Sequence, residues 1–170
     1  MKKLTSIIIL FFAVFSIANA EKPKSKQFGA AFTQMKSLEG QWQGKMAEGD
    51  KSKPFNVNYK VSSAGSAIIE TTFPGEPMEM VSIYTEVNGK IKMTHYCAMQ
   101  NQPTLQLQSY SKNKFEFDFI SGTNLNVKKD AHMHHLTLLI TDKNKMEQHW
   151  TQFKDGKSAG IHVSKLSRVN

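Results

Sequence analysis

From residue 41 to the C-terminus, apolar and polar side chains alternate in short runs separated by turn residues. The turns are Ala64-Gly65, Pro74-Gly-Glu-Pro77, Asn88-Gly89, Lys112-Asn113, Asp142-Lys-Asn144 and Asp155-Gly156. A repeat of two residues is that of a strand with one face buried. Asn-Gly and Asp-Gly between such runs are strong hairpin signals. The pattern predicts ten strands, at 41–47, 55–63, 66–73, 79–87, 90–98, 104–110, 114–121, 131–141, 145–153 and 158–168. Taking the more apolar face of each as the inner one places Trp42 and Met46 inside, then Phe55, Val57, Tyr59 and Val61, then Ile69 and Phe73, and Val81 and Ile83. The inner set continues with Ile91, Met93, His95 and Cys97, then Leu105 and Leu107, then Phe115, Phe117 and Phe119. It ends with His134, Leu136, Leu138 and Ile140, then Met146 and Trp150, then Ile161 and Val163. Glu70 and Glu116 fall on the outer face by this rule, which argues against a paired-carboxylate site.

Short turns make neighbouring strands in the chain neighbours in the sheet. An up-and-down meander of this many strands exposes two long edges unless it closes. The prediction is an all-β, roughly ten-stranded antiparallel barrel with an inner cavity. One helix precedes it, at 27–38, where Phe28, Ala31, Phe32 and Met35 recur at helical spacing. It leads into the first strand and is expected to cap the bottom of the barrel.

Strand parity places the chemistry. The fifth strand ends at the top with His95 and Cys97, and the eighth, running down, begins there with His132-Met-His134. The Pro74–Pro77, Ala98–Gln102 and Gly122–Asp130 loops belong to the same end. The mouth is therefore expected at the top, with three histidines and the sole cysteine beneath it. His95, Cys97, His132 and His134 carry the donors of a tetrahedral zinc shell, and an imidazole at a barrel mouth also suits haem. The alternative is a set of cavity histidines hydrogen-bonded to neighbouring amides or water. His135, His149 and His162 alternate with inward residues and are read as surface groups.

The first residues change the compartment rather than the fold. Met1-Lys-Lys, an apolar run from Leu4 to Ala18, and Ala18-Asn-Ala20 before Glu21 have the three parts of a secretory signal, cut after Ala20. The division is then 1–20 signal peptide, 21–40 basic lead and capping helix, and 41–170 barrel, in a periplasm or outside the cell. A single cysteine in an oxidising compartment cannot form an internal disulfide. The formal charge of +8 is almost wholly lysine, Arg168 being the only arginine. Lysines spread over alternating outer positions predict a solvated basic surface, not a nucleic-acid interface. No stable membrane insertion is expected once the signal is removed.

Certain motifs carry a resemblance. A small helix, a Gly-x-Trp at the first strand (Gly40-Gln-Trp42) and a meander of short antiparallel strands resemble the calycin group of lipocalins, fatty-acid-binding proteins and their bacterial relatives. More narrowly, Phe73-Pro-Gly75, Thr94-His-Tyr-Cys97, Asn101-Gln-Pro103, Phe117-Asp-Phe119 with Gly122-Thr-Asn124, and His132-Met-His134 resemble uncharacterised secreted bacterial lipocalin-like proteins. The resemblance implies the barrel and no particular activity, although some periplasmic calycins bind zinc.

Three functions follow as expectations. The first is a carrier or sensor of a small, mostly apolar molecule, held by Tyr59, Ile83, Met93, His95, Cys97, Asn101, Gln102, Leu107, Phe117, Phe119, His134, Leu136 and Trp150. The second is zinc or haem binding through His95, Cys97, His132 and His134. The third is an enzyme of a small hydrophobic substrate with a mouth histidine as general base. The sequence shows no second catalytic group, serine nucleophile motif or phosphate-cradling loop for it.

Overall fold

The computed structural model describes residues 28–48 and 51–169. The expected signal peptide, its cut after Ala20 and the basic lead to Lys26 lie outside the described residues. One helix, α1 (Ala30–Lys36), precedes ten strands: β1 (Gly40–Glu48), β2 (Lys51–Ser62), β3 (Ala67–Thr72), β4 (Met80–Val87), β5 (Lys90–Tyr96), β6 (Gln102–Ser111), β7 (Lys114–Thr123), β8 (His132–Asp142), β9 (Lys145–Lys154) and β10 (Lys157–Arg168). Every strand pairs antiparallel with its sequence neighbours, and β1 also pairs with β10, so the sheet closes into a barrel with no free edge. Closure depends on Gly44. It sits opposite Leu166 of β10, and a Cβ built there would lie 1.9 Å from the Lys165 carbonyl oxygen.

The bottom is shut. Helix α1 has seven residues, too few to be stable alone. It is held by burying Phe32 and Met35 completely, each worth roughly 1.5–3 kcal/mol. Gln34 donates to the Lys112 carbonyl at 2.6 Å and accepts from the Tyr110 hydroxyl, tying the helix to the β6–β7 turn. Arg168 donates to the carbonyls of Ser37, Glu39 and Lys143 and lies 4.3 Å over the Trp42 ring, whose Nε1 donates to the Leu38 carbonyl. The sole arginine thus caps the C-terminal end of the helix, where carbonyls are left over and a cation is favoured.

Above the helix the interior is packed. Trp42, Ile91, Met93, Leu105, Phe115, Phe117, Leu136, Leu138 and Met146 are buried there, with Tyr84 edge-on to Phe117 at 5.8 Å. Most inner faces are those read from the alternation, but three strands differ. On β3 and β4 the buried residues are Ile68, Glu70 and Thr72, and Ser82 and Tyr84; Ile69 and Ile83 pair on the outer face, and Val81 also faces outward. On β10, Ser164 and Leu166 are buried and His162 faces the interior, while Ile161 is 58% exposed. The cause on β3 and β4 is a row of polar groups that satisfy one another. Cross-strand pairing sets Glu70 opposite both Tyr59 and Ser82, and Ser82 opposite His95. Such a row is tolerated inside because its members have partners.

Replacing Gly44 with alanine should destabilise the protein by about 1–3 kcal/mol, the cost of overpacking against a backbone atom that cannot turn aside. Urea unfolding of Gly44→Ala checks this; an unchanged midpoint would show that the β1–β10 seam relaxes freely.

A mouth cavity above a buried polar belt

The belt is centred on Glu70, whose side chain is 1% exposed. Its carboxylate accepts from the Tyr84 hydroxyl at 2.6 Å, from Gln148 Nε2 at 3.0 Å and from the Thr72 hydroxyl at 3.4 Å. Gln148 also donates to the Tyr59 hydroxyl at 2.7 Å, so residues from β2, β3, β4 and β9 meet across the interior. Burial raises the Glu70 pKa, although the hydrogen bonds from Tyr84, Tyr59, Gln148 and Thr72 pull the other way. Burial, and then the Glu70 charge, push both phenols well above their ordinary range.

Above the belt the barrel opens into a cavity of about 520 Å³, within the range of small-molecule sites. Its walls are Phe55 and Pro54 of β2, Thr72, the Phe73–Met80 segment, His95, Ala98, Met99, Met133, Trp150, Gln152 and His162, with Met46 from β1. Lys53 and Glu76 stand at its rim. Phe73 sits edge-on to Phe55 at 5.1 Å and has a φ of 54°, a left-handed conformation uncommon for a bulky residue. The strain is held by hydrogen bonds from its N–H to the Asn56 carbonyl and from the Glu76 N–H to its own carbonyl. It turns the chain sharply off β3 so that the following segment forms a cavity wall.

His95 links belt and cavity. Its Nδ1 is 2.9 Å from the Ser82 hydroxyl, its ring lies 5.2 Å from that of Trp150, and Nε2 has no protein partner although the residue is buried. Burial lowers its pKa to about 4, so the ring is neutral at physiological pH. Nε2 then offers a lone pair if Nδ1 donates to Ser82, or a donor if Ser82 donates to Nδ1. His162 faces the same space, its Nε2 donating to Gln152 Oε1 at 3.2 Å, and its Nδ1 is likewise buried without a partner.

The mouth lies at the end predicted from strand parity, among the Phe73–Glu79 and Cys97–Asn101 connections. The lining differs. Of the residues expected to bind a ligand, His95 and Trp150 face the cavity. Tyr59 belongs to the belt below it, and Met93, Phe117 and Leu136 to the packed core, with Leu107 half-buried against it. Ile83 is on the outer face. Asn101 is buried but holds the β5–β6 connection to the Ala131 carbonyl at 2.8 Å, and Gln102 receives a contact from Asn124 at 3.4 Å.

The four expected metal ligands are not brought together. His132 and His134 hydrogen bond to each other at 2.9 Å, with His132 Nδ1 on the Asp130 carbonyl. His134 stacks on Phe153 at 3.8 Å and on Phe119 at 5.0 Å, above the point where the β7–β8 ladder ends at Asp118 and His135. Burial, then the adjacent His132, lower its pKa. A bulge between Met133 and His135 is the reason: it turns Met133, not His132 and His134, into the cavity. Cys97 sits elsewhere, its Sγ 3.9 Å from Met80 Sδ, and burial pushes its thiol pKa up. Among the described residues no three His, Cys, Asp or Glu side chains form a group able to hold a metal ion. His135 and His149 are partly exposed, beside Asp118 and Glu147, as outer-face residues should be.

Sequence reasoning missed Phe73, Met46, Met78, Met80, Met99, Met133, Thr72, Gln152 and His162 as lining residues. A signal was available for the first of these, since Phe73-Pro-Gly75 breaks the alternation at a mouth loop. No protein-family model matches the chain, and no curated protein matches it. Among solved structures it is similar to a protein of unknown function of the DUF3598 family from Nostoc punctiforme, with a TM-score of 0.56 and 13% identity over 88% of this chain and 53% of that one. The chain spans about half the length of that protein, and the likeness is one of fold.

A raised carboxylate pKa has a signed consequence. The folded state holds the Glu70 proton more tightly than the unfolded chain, so this contribution to stability is full below the ordinary value of 4.5 and is lost as pH rises through the folded pKa. Urea unfolding across this range should therefore show wild type losing stability relative to Glu70→Gln as pH rises. A difference independent of pH would mean that Glu70 titrates normally.

Proposed function

We propose that the protein is a lipocalin-like binding protein, secreted or periplasmic, that holds a small amphipathic molecule in the mouth cavity. The observation that carries this reading is an apolar cavity of about 520 Å³ lined in part by buried His95 and half-buried His162, each with a buried ring nitrogen that has no protein partner, His95 Nε2 and His162 Nδ1. Buried polar atoms without partners are costly, on the order of 1–3 kcal/mol each, and a ligand hydroxyl or carbonyl that reaches them recovers that cost. Phe55, Phe73, Trp150 and the mouth methionines supply the apolar wall, worth about 25 cal/mol per Å² of ligand surface buried. Methionine suits such a wall because its unbranched, polarizable side chain adapts to different ligand shapes.

Catalysis is less well supported. A histidine with a pKa near 4 is a weak base, and Ser82, its hydrogen-bond partner, does not line the cavity. The Ser82–His95 pair therefore orients the ring.

The test is titration with an environment-sensitive apolar fluorophore, following its emission and the quenching of tryptophan. One saturable site is expected, removed by Ala98→Trp, which fills the lip of the cavity. His95→Phe should weaken a probe with a polar head more than its hydrocarbon analogue. Uptake that survives Ala98→Trp would place the site elsewhere and defeat the proposal.

A further inference from the structure

The same cavity has a second chemistry that an apolar carrier does not need. Of the chain's nine methionines, Met46, Met78, Met80, Met99 and Met133 line this one space. Cys97, the only thiol, touches one of them: its Sγ is 3.9 Å from Met80 Sδ. Two sulfur ligands at metal–sulfur distances of about 2.3 Å in a trigonal shell stand about 4 Å apart, so these two atoms already have the spacing of a bound pair. His95 precedes Cys97 by two residues where the chain leaves the end of β5, an offset of roughly 6–7 Å at the backbone. Its buried Nε2 is unpartnered, and Ser82 on its Nδ1 is the outer hydrogen-bond partner a metal-bound imidazole ordinarily has.

We propose that Cys97 Sγ, Met80 Sδ and His95 Nε2 form a site for a soft monovalent metal ion, Cu(I), on the β4–β5 wall of the mouth. Thiolate and thioether donors select Cu(I) over the harder divalent ions, and the surrounding thioethers form a wall on which an arriving ion exchanges ligands. On binding, the Cys97 thiol gives its proton to solvent as the copper–thiolate bond forms. The ion's single positive charge is neutralised and no electron is transferred. A neutral complex can remain in an apolar cavity where a divalent ion would keep a net charge.

The experiment is anaerobic competition of the untagged full chain with bathocuproine disulfonate for Cu(I), with Zn(II) titrated in parallel. One Cu(I) per chain is expected. Cys97→Ser should weaken it by more than about 100-fold, and Met80→Leu and Ser82→Ala by about 10-fold each. Circular dichroism establishes that each variant folds; should Cys97→Ser not fold, the other two decide. Absence of Cu(I) binding, binding unchanged in the folded variants, or Zn(II) held as tightly by the same residues would each overturn the assignment. The apolar fluorophore separates the two proposals, because Met80→Leu keeps an apolar wall and should retain the probe while losing copper.

Discussion

A carboxylate in the middle of a hydrophobic barrel constrains everything around it. Glu70 without its partners would cost several kcal/mol, as any isolated buried charge does. Its acceptance of hydrogen bonds from Tyr84, Gln148 and Thr72 therefore fixes more than one side chain. It decides which face of β3 looks inward, and through pairing which face of β4 does. A slip of one residue would bring Ile69 and Ile83 inside, a more apolar arrangement in isolation. It would also strip Tyr84 and Gln148 of their acceptor at once. Register in a two-sided strand is weakly specified by hydrophobicity, and here a polar network specifies it instead.

The belt also divides the interior. Below it, aromatic and aliphatic side chains fill the barrel down to Phe32 and Met35 of the helix, and Arg168 locks that helix over the end. Above it, the side chains line the wall without meeting at the centre. The opening at the top follows from the chain's order. The helix and the C-terminal end of β10 meet at the bottom, whereas the longer connections after β3, β5 and β7 all belong to the top.

This division explains what could be read in the sequence. Ten strands, their turns, the capping helix and the position of the mouth followed from period-two alternation and strand parity, both local properties. The inner faces of β3, β4 and β10 did not. On β3 and β4 the two faces carry similar apolar content, and the deciding contact joins Glu70 to Gln148, 78 residues away. The histidine cluster failed for a smaller reason. One extra residue at the Met133–His135 bulge reverses the facing of everything before it on β8, and nothing in His132-Met-His134 announces the bulge. The mouth methionines were invisible for a third reason: each reads as ordinary core, and only closure of the barrel gathers them.

His95 was legible as an inward histidine, yet its properties come from the residue that was not. Ser82 faces inward only because Glu70 has set the register of β3 and β4. Once there, Ser82 takes Nδ1 of His95 and leaves Nε2 as the group the protein does not satisfy. Burial then keeps the ring neutral down to a pH of about 4, so it is uncharged at physiological pH. A cationic imidazole at the same place would repel a metal ion and prefer an anion. A neutral one, held from behind and backed by Trp150, accepts either a hydroxyl or a soft cation. The chemistry open to the cavity is thus set two strands away, by a carboxylate that never touches it.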